Sequence, residues 1–356
     1  MAEKKSLGSK LLRLFNTLFL SGLMLLSGAW LYVQHWLQAP LTIPQESYSY
    51  ELTQGKSLSH MANDLAQTGI LSHPRLLRLY ARLMGSPKIH AGEYQLEFGL
   101  TPLSLLEKLK RGDVVLYQAT IVEGWTYKQA IAALAKNPAV VSALDGKSVA
   151  EQLALLALPV ESLEGWIFPD TYSFSRNTSD LDILRKAHAK MELLLSEEWS
   201  QRAKNLPYKA PYEALIMASI IERETGHHSE REQIAGVFVR RLQQGMKLQT
   251  DPTVIYGMGD SYKGKIGRKN LQEPNAYNTY VIDGLPPTPI ALPSAASIHA
   301  ALHPAEGKAL YFVAKGDGTS EFSENLTDHN NAVRRYQLKR RADYRAAPPP
   351  AAQPQP

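Results

Sequence analysis

The stretch beginning PYEALIMASIIERETGHH at Pro211 ends an apolar run in ionisable side chains of the kind that do acid–base chemistry. Between Ala214 and Ile221 the only polar residue is Ser219, which predicts a helix buried on every side. Glu222 is the first carboxylate to follow, at the helix's C-terminal end, where burial and the helix dipole both oppose ionisation. A carboxylic acid kept neutral near pH 7 is what a general acid for glycosidic cleavage needs. Glu224 competes from two positions on. Such positions diverge by about 200° around a helix, so the pair cannot share one cleft. Glu222 continues the face of Ala218 and Met217, Glu224 adjoins Ile220 and Ile221, and the pattern chooses neither. In the bland alternative Glu222 caps its helix or pairs with Arg223, Arg231 or Arg240. Glu230 and Glu232 lie in a charged stretch and read as surface groups.

No second acid follows Glu222 at helical or hairpin spacing, although hydrolases that use two carboxylates need one. Asp170 in FPDTY and Asp251 in QTDPT are candidates that folding could bring in, and each is equally a turn residue. His227 and His228 are adjacent and diverge, with no ligand at metal spacing, so no metal and no cofactor is expected. The absence of cysteine excludes disulfides, thiol catalysis and cysteine-ligated metal. The net charge is +5, and Lys4, Lys5, Lys10 and Arg13 against Glu3 supply most of it, so no nucleic-acid footprint remains on the folded part.

Several elements must position these groups. Leu14 to about Val33 runs uncharged for long enough to cross a bilayer, with Trp30, Tyr32 and Trp36 at an interfacial aromatic belt. The basic residues before it place the N-terminus in the cytoplasm and the rest of the chain outside. A cleaved signal peptide is the alternative, and Pro40 after Leu37-Gln38-Ala39 disfavours cutting there. Pro40 to Pro44 reads as an extended linker. A strand at Tyr48, Tyr50 and Leu52, two helices, a strand from Gly92 to Leu96 and a helix capped by Thr101 form a small unit with LysM-like order. Strand Tyr117–Val122 and helices near Ala130–Leu134, Ser148–Leu158 and Leu181–Leu195 follow, and Glu-Gly-Trp recurs at 123–125 and 164–166. The proline-rich end cannot bury a core. The expected fold class is therefore α+β. The segments are a basic stretch 1–13, a transmembrane helix 14–36, a LysM-like module 45–115, a larger mixed α+β catalytic domain 116–345 and a disordered tail 346–356.

Longer blocks carry a resemblance. ASIIERET (218–225), the run from Glu230 to Asp260 with IAGVF and LQTDPTVIYGMG, NAYNTY (275–280), GLPPTPI (284–290) and LEGWIFPDTYSF (163–174) closely resemble the YceG-like endolytic murein transglycosylases, over roughly Lys4 to Tyr336. The resemblance implies cleavage between N-acetylmuramic acid and N-acetylglucosamine inside nascent peptidoglycan strands, with 1,6-anhydro-muramoyl ends. It implies Glu222 as the catalytic acid/base, and attack by the substrate's own C6 hydroxyl in place of a second carboxylate. Gln249, Thr250 and Asp251 of the LQTDP turn, with Tyr277, Asn278 and Tyr280, would contact sugar. Asp328, His329 and Asn330 resemble the family's acidic-His-Asn motif, where Asp328 could equally be an N-cap. Penicillin-binding proteins and the elongation machinery are the implied partners. The chain departs from the family pattern at Thr288, at Leu292-Pro293-Ser294 and at Thr319-Ser320. A non-catalytic peptidoglycan-binding tether and a hydrolytic muramidase are the competing readings.

Overall fold

A computed structural model describes residues 7–338 apart from 45, 54, 87, 159 and 226. The expected tail at 346–356 and the first six residues of the basic segment lie outside the described residues. The chain divides into two compact units.

The first unit holds the described residues up to Tyr117 together with Phe174–Asn177. Helix α1 (Leu7–Gln38) is long and apolar enough to cross a membrane. It overruns the expected end at residue 36, and its last turn belongs to the core: Trp36 is 7 % exposed and its indole donates to Ser72 Oγ at 3.0 Å. Trp36 thus packs inside the first unit and does not face lipid. Nor is the next stretch a free linker, because Leu41 and Ile43 are buried and Leu41 N donates to Leu100 O at 2.7 Å. Strand β1 (Ser47–Leu52), helices α2 (Leu58–Gln67) and α3 (Pro74–Leu83), strand β2 (Gly92–Glu97) and helix α4 (Pro102–Arg111) follow in the expected order. β1 and β2 pair antiparallel with Tyr50 opposite Tyr94, and alternation sends Tyr50, Leu52, Tyr94 and Leu96 into the core. Thr101 caps α4 by accepting from Ser104 N, with Pro102 at its first turn.

The second unit contains the remaining described residues. Strands β3 (Leu116–Thr120) and β5 (Thr171–Ser175) pair as a ribbon, of which Gln118–Thr120 and Thr171–Ser173 belong to this unit and the remaining residues to the first. Between them lie α5 (Tyr127–Ala135), β4 (Val140–Val141) and α6 (Val149–Leu156). β6 (Thr178–Ser179) pairs parallel to β4 and leads into α7 (Asp180–Ser200). Helices α8 (Pro211–Glu224), α9 (Arg231–Gln243), α10 (Asp251–Met258), α11 (Arg268–Gln272) and α12 (Ala295–Leu302) precede the hairpin β7 (Tyr311–Ala314) and β8 (Ser320–Ser323), and α13 (Leu326–Val333) follows. Every residue from Ala214 to Ile221 of α8 is buried, packed on α12, α9, α7 and α10. Ser219 is tolerated there because its hydroxyl donates to Ile216 O at 2.7 Å and accepts from Ile290 N at 3.0 Å. The two Glu-Gly-Trp tripeptides are the same turn. Gly124 (φ +74°) and Gly165 (φ +80°) are left-handed, and Trp125 N and Trp166 N each donate back to the carbonyl three residues earlier.

Candidate active site

The last turn of α8 sends its two carboxylates in opposite directions, as the helical rotation requires. Glu222 Oε2 accepts from Ser294 N at 2.9 Å, Ser294 Oγ at 2.5 Å and Ser297 Oγ at 2.7 Å. Ser294 is the N-cap of α12, so Glu222 sits on the positive end of that helix. Its Oε1 lies 3.5 Å from Arg231 Nη2, and its side chain is 7 % exposed. Glu123 adjoins the same group. Burial raises its carboxyl above the usual range and the charge of Glu222 adds to the rise, against Arg231 and His228.

Glu224 faces elsewhere. It accepts a hydrogen bond from Thr250 Oγ1 and lines an open cavity of about 440 Å³. Burial pushes its carboxyl up to about 7, and the charge of Asp251 adds to that rise; the Thr250 hydroxyl and Arg223 oppose it. The residue pattern had predicted a carboxyl of this kind at the end of α8 without choosing the position. Glu222 does not line this cavity.

The LQTDP and YNTY segments build the opposite wall. Leu248 is buried, Gln249 takes a left-handed backbone (φ +53°), and Asp251 and Pro252 open α10. Gln249 N donates to Thr279 O at 3.1 Å and Thr250 N to Thr279 Oγ1 at 3.0 Å, which fixes the turn against the second segment. Tyr280 OH then donates to Asp251 Oδ1 at 2.7 Å, and both residues line the cavity with Gln249.

Tyr277 and Asn278 do not line it. Asn278 is 1 % exposed; its amide donates to the carbonyls of Asn270, Leu271 and Glu273 and its Oδ1 accepts from Tyr280 N. It therefore holds the loop that carries Tyr280. Tyr277 OH bonds Thr288 Oγ1 at 2.9 Å, and its ring packs on Tyr256. Asp170 is also elsewhere, paired with Lys190.

The cavity also recruits Arg241, to which the sequence did not point, beside His329 and Asn330, which the family resemblance singles out. Arg241 is buried on α9 and donates to Lys247 O, Leu310 O and Gln249 Oε1, the last at 2.6 Å. It lies in the last turn of α9, close behind the apolar Val237-Phe238-Val239, and that was the available signal. His329 and Asn330 from α13 complete the rim; the His329 ring stacks on Tyr311 at 5.1 Å, and burial, aided by Arg241, lowers its basicity. Asp328 is not an N-cap, since Asn325 fills that role and accepts from Asp328 N. Glu230 is no surface group either: it is buried and accepts from Ser320 N at 2.8 Å.

The profile of the YceG-like family matches residues 50–335. The chain belongs to the YceG-like family. A protein named endolytic murein transglycosylase from Bacillus subtilis (strain 168) is 31% identical, over 88% of this chain and 91% of its own length. One of the same name from Streptococcus pneumoniae (strain D39) is 29% identical over 88% of this chain and 64% of its own. The crystal structure of a YceG-like protein from Listeria monocytogenes aligns with 81% of this chain and 99% of that one, at a TM-score of 0.50 and 27% identity.

Thr288 bonds Tyr277, Ser294 caps α12 and holds Glu222, and Ser320 N satisfies Glu230. Among the described residues, one group has the makeup of a metal site: Glu198, His299 and His303, with His299 Nδ1 2.9 Å from Glu198 Oε2. It is built from α7, α12 and the residue that closes α12, and none of the three lines the cavity around Glu224.

Proposed function

We propose that this chain is a membrane-anchored endolytic lytic transglycosylase that cuts peptidoglycan glycan strands, with Glu224 as its acid/base. The observation that carries this reading is a carboxyl group that stays protonated to about pH 7 in a cavity walled by a polar turn and by tyrosines. Glu224 donates its proton to the glycosidic oxygen as the bond from that oxygen to the muramoyl C1 breaks, leaving N-acetylglucosamine with a free 4-hydroxyl. The resulting carboxylate takes the proton of the muramoyl C6 hydroxyl as O6 bonds C1, which closes the 1,6-anhydro ring and restores the acid. No water enters. Asp251, held by Tyr280, supplies negative charge beside the cationic sugar of the transition state.

The resemblance to the family assigned the acid to Glu222. Its Oε2 already accepts three hydrogen bonds and it lies outside the cavity, so we assign it the task of seating α12 against α8. Gln249, Asp251 and Tyr280 remain sugar contacts, whereas Tyr277 and Asn278 support them from behind. The strand and helix order of the first unit supports a LysM-like glycan-binding module. In this reading α1 crosses the cytoplasmic membrane with its N-terminus inside, and the enzyme works outside beside the penicillin-binding proteins that extrude new strands.

Asp251 favours one second reading, a hydrolytic muramidase, because it places a second carboxylate on the same cavity. Product analysis separates the two. Purified strands treated with wild-type protein should yield anhydro-muramoyl ends with no oxygen from labelled water, Glu224→Gln should yield none, and folded Glu222→Gln should retain them. Reducing muramoyl ends would favour hydrolysis, and wild-type product from Glu224→Gln would sink the assignment.

A further inference from the structure

The geometry points to α3 as a second membrane contact, which lies on the outer surface of the bilayer and binds the phosphates of anionic phospholipids. The inference rests on α1 being a membrane span. His73, the residue before α3, packs between two α1 aromatics: its ring centroid is 6.1 Å from that of Tyr32 and 5.8 Å from that of Trp36. Tyr32 sits at the end of the apolar stretch, where aromatic side chains mark the membrane–water boundary. α3 therefore starts at that boundary, and its ten residues reach no more than about 15 Å from it.

The outward face of α3 has the composition such a position demands. Leu77 and Ala81 bury one side, and at 100° per residue Leu79 and Leu83 fall on the opposite side. They are 54% and 73% exposed, and Met84 just beyond is 63% exposed. Beside this apolar stripe run Arg75, Arg78 and Arg82. All three line a groove of about 480 Å³ with Ser57, Ser59 and Ser86, and no carboxylate among the described residues lines it. Among the described residues none of the three guanidiniums has an ion-pair or hydrogen-bond partner. A guanidinium fork matches the geometry of phosphate. An exposed leucine stripe flanked by arginines is the pattern of a helix lying in a membrane interface. A free phosphate would explain the arginines but would leave Leu79, Leu83 and Met84 bare to water. A bilayer surface accounts for both.

The chain has no cysteine, so single labels can be placed cleanly. The full chain carrying Leu83→Cys with an environment-sensitive fluorophore would be reconstituted in nanodiscs of zwitterionic lipid with or without phosphatidylglycerol, using lipids brominated high on the acyl chain as quenchers. A Met24→Cys label inside α1 reports on the span itself. The expected result is quenching at both positions in the phosphatidylglycerol discs. Changing Arg75, Arg78 and Arg82 together to Gln should lower quenching at residue 83 by about fivefold or more, the effect of one basic residue near an anionic surface. A quenched residue 24 with an unquenched residue 83 overturns this inference alone, and an unquenched residue 24 overturns the span. Quenching at 83 that ignores lipid charge and the arginine changes overturns the phosphate-binding claim. Loss of that quenching in millimolar inorganic phosphate at constant ionic strength assigns the groove to a free ion and overturns the membrane claim.

Discussion

Glu224→Gln should kill the enzyme and stabilise the protein above neutral pH, and both effects follow from the raised proton affinity of this carboxyl. The folded chain holds the Glu224 proton to about pH 7, against an ordinary value of 4.5. Its protonated share is then about nine-tenths at pH 6 and about one-tenth at pH 8, so formation of anhydro ends should fall roughly tenfold between them. The same shift makes stability pH-dependent. Because the folded state binds this proton more tightly than the unfolded chain, its contribution is complete below about pH 4.5 and is lost as pH rises through 7. The full loss is about 3 kcal/mol. Glutamine never ionises, so the stability advantage of Glu224→Gln over wild type should grow by about 2–3 kcal/mol between pH 5 and pH 9. Urea unfolding of both proteins at the two pH values measures this, and product release from glycan strands across pH 5 to 9 measures the activity limb. A wild-type activity profile that stays flat between pH 6 and 8, or a stability difference that does not change with pH, would refute the assignment of a neutral acid to this position.

Glu222→Gln should act in the opposite sense, because it leaves the buried Arg231 without its carboxylate: a loss of about 3–5 kcal/mol in urea unfolding, with anhydro-end formation per folded molecule retained. Tyr280→Phe removes the hydroxyl that orients Asp251 and should slow strand cleavage by roughly 10- to 100-fold with little change in unfolding midpoint. Ser219→Ala strands the buried Ile290 N–H inside the core and should cost about 1–3 kcal/mol, read as a lower midpoint in the same titration.

The buried run of α8 was legible because eight nearly unbroken apolar residues admit only a fully enclosed helix. The small first unit was legible for a similar reason: its alternation, its Thr101 cap and its turn glycines are local signals. Trp36 and Glu230 were misread because burial is not local. A tryptophan at the end of an apolar helix suits a membrane interface until Ser72 and His73 pack on it. A glutamate in a charged stretch reads as solvated until the backbone of Ser320 folds over it.

The sequence by itself determined that an acid of unusual environment ends α8, that Glu222 and Glu224 must point apart, and that the LQTDP and YNTY motifs resemble those of one family. Rotation per residue and apolar patterning suffice for the first two, and contiguous motifs for the third. Which glutamate meets the cavity was decided only by tertiary structure. Glu222 is turned to serines 72 and 75 positions away, and Glu224 to a threonine 26 positions away. The carboxyl's environment is made by those distant partners, and no periodicity within α8 encodes which of them the fold brings to each side.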